Sequence, residues 1–145
     1  MSALFLFDVN VLLALLDPGH ERHALARRWW TTKAGAKWCT CEITRSAFVR
    51  LSCNPHVTVD PKSAEAAWNI LKSNMDKPRH AQLSVGTSAF GSLAPILRRC
   101  QGYRQVTDAF LLHVAVANQA VFATFDQPMK HLSPDPSSVE VIPLY

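Results

Sequence analysis

The sequence predicts an α/β fold with a mostly parallel central sheet. Short apolar runs that read as strands alternate with longer stretches patterned as helices. Two of those runs, LFLF near the start and VFATF near the end, are each followed directly by an aspartate, Asp8 and Asp126. In such folds ligands gather outside the carboxyl ends of the strands, so acids at those points are candidates for chemistry.

LFLF, residues 4–7, is short, apolar and aromatic, as a buried strand requires. VNVLLALL follows as a helix and stops at the turn-forming Asp17-Pro18-Gly19. ERHALARRWWTTKA has helical spacing, with Leu25 and Trp29 four apart. A short strand is expected around Lys37-Trp38-Cys39, after which Thr40 is placed to cap CEITRSAFVRLSC. Asn54-Pro55 breaks that helix, and Asp60-Pro61 opens the next, PKSAEAAWNILKSN. HAQLSV reads as extended, and a Gly/Ser/Thr-bounded stretch then leads into SLAPILRRC, helical with Pro95 near its start. VTDAFLLHVAVANQ is apolar nearly all round and is expected to be a buried central helix. AVFATF and SVEVIPL supply the last strands.

A chain of 145 residues, 48% apolar and 18% charged, is long enough to bury a core as one domain without disulfides or a structural metal. The apolar run VLLALL is too short to span a bilayer, and the first basic residue is Arg22, so no positive leader region precedes it. A cytoplasmic protein is expected. The four cysteines fit neither a disulfide framework nor a CxxC zinc pattern, and His20 and His23 have no further His or Cys ligand nearby. The net charge of +4 permits a polyanionic partner without demanding one.

The eleven acids divide by context. Asp17, Asp60 and Asp135 each precede a proline, Asp76 sits in a polar loop, and Glu21, Glu65 and Glu140 lie in polar or alternating stretches, where no partner is needed. Asp8 and Asp126 end central strands. Asp108 starts the most hydrophobic helix, where a favourable helix dipole alone would account for it. Glu42 also lies near a helix start; on a helical wheel it shares a polar face with Arg45 and Ser46, opposite Ile43, Ala47, Phe48 and Leu51. If the sheet is parallel, Asp8, Glu42, Asp108 and Asp126 converge on one edge. Their mutual repulsion then calls for cations, and an all-oxygen donor set favours Mg²⁺ or Mn²⁺ over zinc.

FDVNVLLALL, CEITRSAFVRL and VTDAFLLHVAVANQAVFATFD, in that order and spacing, resemble the PIN-domain ribonucleases, and among them the VapC-type toxins of bacterial toxin–antitoxin pairs. The resemblance implies a three-layer α/β/α sandwich spanning residues 1–145 as a single domain. It also implies an acidic quartet of Asp8, Glu42, Asp108 and Asp126 that binds one or two Mg²⁺ or Mn²⁺ ions. Asn10 matches a position that orients a carboxylate or a water, and Thr107 and Thr124 match hydroxyl positions beside the third and fourth acids. Residues 60–104 carry no motif, so the likeness there rests on length and order.

The implied activity is metal-dependent hydrolysis of RNA, with a cognate antitoxin and a second copy of the chain as partners and no membrane. Arg45 and Arg50 flank Glu42 and are candidates to position phosphate; Arg98, Arg99 and Arg104 form a second basic cluster. Trp29 and Trp30 are expected to pack against the core rather than stack on bases. Three alternatives stay open: a nuclease of RNA processing or of DNA, a catalytically idle domain that binds RNA or protein, and a haloacid-dehalogenase-like phosphatase. The last needs a second acid where Asn10 stands, and an amide cannot transfer the proton.

Overall fold

A computed structural model describes residues 2–83 and 90–145. Four strands, β1 (Leu4–Phe7), β2 (Lys37–Cys39), β3 (Val121–Thr124) and β4 (Val139–Val141), form one sheet in the order β2-β1-β3-β4, every pair parallel. Helices α1 (Val9–Leu16), α2 (His23–Thr31), α3 (Glu42–Ser52) and α4 (Ala64–Met75) precede β3 in the chain. They are followed by α5 (Leu93–Leu97) and α6 (Val106–Ala117), and α7 (Met129–Leu132) links β3 to β4.

The two faces of the sheet carry separate cores, which makes the architecture a three-layer α/β/α sandwich. Phe5 and Phe7 point to the first face, with Leu12 of α1, Trp29 of α2, Phe48 of α3 and Leu71 of α4. Leu6 and Phe122 point to the second, with Ile96 of α5, Leu112 of α6 and Met129 of α7. The alternation along β1 follows from the two-residue period of a strand, and both faces are apolar because both are covered. Trp29 is buried and meets Phe5 and Phe7 edge-on. Its indole N–H donates to Glu140 of β4, which also pairs with Lys33. Glu140, read from the sequence as needing no partner, therefore ties the end of α2 to the sheet edge.

Several boundaries differ from the sequence reading. Cys41, not Thr40, caps α3: its backbone N–H donates to Thr44 Oγ1 at 3.0 Å, while Thr40 is buried against Met75 and His80. The helix expected to open at Asp60-Pro61 starts at Ala64, because Ser63 Oγ accepts from the Ala66 N–H and sets the N-terminus there. The extended piece expected over residues 80–85 lies partly outside the described residues; His80 runs parallel beside Trp38 of β2.

The central-helix expectation for α6 is corrected more substantially. Ala109, Leu111, Leu112 and Ala115 are buried, but Val106 and Phe110 are 41% and 39% exposed. The helix packs one face on the sheet and turns an equally apolar face outward. A sequence that is apolar all round does not reveal which face lacks a cover.

Candidate active site

Strand order reverses direction between β1 and β3: the chain passes from β1 to β2 on one side, then returns to place β3 on the other. Such a switch point leaves a crevice at the carboxyl ends of the strands. Asp8 stands there at the end of β1 as the N-cap of α1, and Asp126 follows β3 two residues on.

Asp8 is almost fully buried and held at both oxygens. Oδ1 accepts from the Val9 N–H at 2.8 Å and Oδ2 from the Thr124 hydroxyl at 2.8 Å. Thr124, itself fully buried, accepts in turn from the Asp126 N–H at 3.0 Å. One hydroxyl thus joins the two strand-end acids, and the Asp8 N–H completes the link by donating to the Ala123 carbonyl.

The half-buried Asp108 enters from the first turn of α6. Asp8, Val9, Thr107 and Asp108 share a cleft of about 410 Å³ with Ile43, Ser46 and Arg50 of α3. Burial pushes the Asp108 carboxyl up to about 6, with the negative charges of Asp8 and Asp126 adding to it. Asp8 is also raised, by burial first and by Asp126 last, against the hydrogen bonds from Thr124 and Val9 that pull it down. Among the described residues neither acid has an ion pair. Three carboxylates therefore repel one another across a partly dry crevice, the condition a bound cation relieves.

Glu42 does not join them. Its side chain is 93% exposed and pairs with Arg45 at 3.0 Å, and both line a separate pocket of about 340 Å³ with Gln82 and Asn118. The helical wheel of α3 explains the split. Ser46, Ala47 and Arg50, spaced three or four apart, face the acid cleft, Glu42 and Arg45 line the other pocket, and Ile43 borders both. Arg50 is thus the arginine beside the acids and Arg45 is not. Asn10 is exposed on the first turn of α1, and the hydrogen bonds that fix Asp8 come from Val9 and Thr124 instead. Ser46, which the sequence wheel assigned to a solvated face, lines the cleft; its spacing from Arg50 was the available signal.

The donor chemistry fits a hard divalent cation: carboxylate oxygens, uncompensated, at a switch point, with no His or Cys among the cleft's lining residues. As the side chains stand, no group of three or more His, Cys, Asp or Glu among the described residues closes on a single point. Asp8 is committed to Thr124 and Glu42 to Arg45.

The family model of the PIN domain matches residues 5–133. The chain belongs to the PIN-domain family. Ribonuclease VapC44 of Mycobacterium tuberculosis is 40% identical over 122 residues, covering 84% of this chain and 85% of that protein. Ribonuclease VapC38 of the same organism is 37% identical over 121 residues, covering 83% and 84%. These relatives place this PIN domain among the VapC-type toxins. A solved structure, VapBC2 from Rickettsia felis bound to a DNA fragment from their promoter, superposes with a TM-score of 0.63 over 95% of this chain and 98% of that one. At 12% identity it speaks for the PIN fold alone. Among the described residues no helix of this PIN domain is long and apolar enough to cross a membrane.

Proposed function

We propose that this PIN domain is a metal-dependent endoribonuclease, the toxin of a toxin–antitoxin pair, with Asp8, Asp108 and Asp126 as the resident ligands of Mg²⁺ or Mn²⁺. The observation that carries the reading is the mutual repulsion of those three carboxylates, Asp8 and Asp108 in one cleft and the exposed Asp126 beside them. A divalent ion held there supplies Lewis acidity toward phosphate oxygens and acidifies water near neutral pH. The chain's own residues do the rest. Thr124 fixes the Asp8 carboxylate and the Asp126 backbone in one register. Asp108, in the first turn of α6, lines the same cleft as Asp8. Arg50 and the hydroxyls of Ser46 and Thr107 line the same cleft and offer contacts to phosphate. For Glu42 to join these ligands it would have to leave Arg45, an exposed ion pair worth no more than about 1 kcal/mol.

Two partners follow. The exposed apolar side chains Val106 and Phe110, one helical turn apart on α6, support a homodimer. A groove of about 520 Å³ elsewhere on the molecule is lined by Leu12, Leu16, Trp30 and Trp38, with Arg27, Lys77 and Arg79 and no acid. That composition supports docking of an apolar, acidic segment of the antitoxin.

Cleavage of single-stranded RNA and of matched DNA by the full chain, with Mn²⁺ and with EDTA, tests the reading. RNA fragments with Mn²⁺ and none with EDTA are expected. Equal cleavage in EDTA contradicts the metal assignment, and preferential cutting of DNA contradicts the substrate.

A further inference from the structure

The cations of the described residues differ in what holds them. Lys33, Arg45, Lys62 and Lys72 are each engaged with a carboxylate, and Arg79 is hydrogen-bonded to backbone carbonyls. Arg22 is not. It stands in the turn before α2, half-buried, with its guanidinium 5.1 Å from the centre of the Phe125 ring. It has no ion pair among the described residues. Phe125 sits between Thr124, which fixes Asp8, and Asp126. The ring belongs to the core on the α1–α2 side of the sheet, so the arginine lies over that core's rim beside the carboxyl end of β3.

Arg22 makes no ion pair with any of the acids among the described residues, so it does not stand as their counterion. Arg50, the other arginine at the site, belongs to α3, and α1 packs against both α2 and α3. The helix that begins at Asp8 is therefore flanked by one element carrying Arg22 and another carrying Arg50. A guanidinium lying against an aromatic ring loses little freedom on binding, because its fork is already oriented.

We propose that Arg22 is a phosphate-contact residue for the substrate strand, pairing with Arg50 so that the two arginines straddle the acids at which the strand is cut. This rests on the ribonuclease reading and adds the path of the polyanion to it. The strand's phosphates bracket the scissile one, and the acids between the arginines stay available for cations.

The test is binding of a labelled single-stranded RNA oligonucleotide to the full chain in EDTA across a series of KCl concentrations. The wild type is compared with Arg22→Gln, Arg22→Lys and, as an exposed control at the far end of α2, Arg28→Gln. Loss of one phosphate contact is expected to flatten the slope of log K against log salt by about 0.7 in Arg22→Gln. Arg22→Lys and Arg28→Gln are expected to keep the wild-type slope. With Mn²⁺, Arg22→Gln is expected to raise KM several-fold at an almost unchanged kcat. An Arg22→Gln slope equal to wild type, in a protein that still cleaves RNA, overturns this inference alone. So does a slope that flattens as much in Arg28→Gln. A wild type that neither binds nor cleaves RNA overturns the ribonuclease reading and this inference with it.

Discussion

Thr124 carries more of the site than its size suggests. Its hydroxyl donates to Asp8 and accepts from the Asp126 N–H inside a fully buried position. Thr124→Val keeps the shape and strands both partners, so it is expected to cost about 1–3 kcal/mol in denaturant unfolding and about 10–100-fold in cleavage. An unchanged rate would mean that Asp8 needs no such anchor. The raised acids make a second prediction. A carboxyl raised in the folded state favours folding while protonated, below its unfolded value near 3.8, and that contribution is lost as pH rises through about 6. His20 and His80, both lowered by burial, act in the opposite sense across part of this range, so a comparison with Asp108→Asn isolates the acid. In metal-free protein the variant is expected to match wild type at pH 3.5 and to exceed it above pH 6 by on the order of 1–2 kcal/mol after solvent screening. A gap that does not widen with pH would show that Asp108 carries no strain. Burial also pushes the Cys39 thiol up to about 12, and native protein should not be labelled there by an alkylating reagent at pH 8.

At the scale of elements, α3 and α6 mark where sequence reading stops. The start of α3 was legible as a helix start, and Glu42 sits in its first turn. What a linear pattern does not hold is the rotation of that helix about its axis. Ser46 and Arg50 face the acids, and Glu42 and Arg45 fall one stripe away, with Ile43 bordering both. Helix α6 shows the same limit differently: its hydrophobicity is nearly uniform around the axis, so pattern gave no hint that Phe110 stays outside. If that face binds a second copy, Phe110→Glu is expected to yield a monomer in light scattering without loss of thermal stability. A mass unchanged by the substitution would place any dimer contact elsewhere.

For the molecule as a whole, the legible part was the alternation of strands and helices and the aspartates at two strand ends. Those two acids land on either side of the switch point because the sheet order β2-β1-β3-β4 puts their strands next to each other. Neighbouring parallel strands were an expectation from pattern; that β1 and β3 are the neighbouring pair is a consequence of chain topology, which no local motif encodes. The groove of Trp30 and Trp38, assembled from five separate segments, was illegible for the same reason. On the ribonuclease reading, the buried acid at the end of β1 serves chemistry and not stability, since its carboxylate is held against burial and like charge. Asp8→Asn tests it in one protein by two readings, Mn²⁺-dependent RNA cleavage and unfolding free energy. Cleavage is expected to fall at least about 100-fold with stability equal to wild type or higher. Retained cleavage, or loss of cleavage only because the protein unfolds, would contradict it.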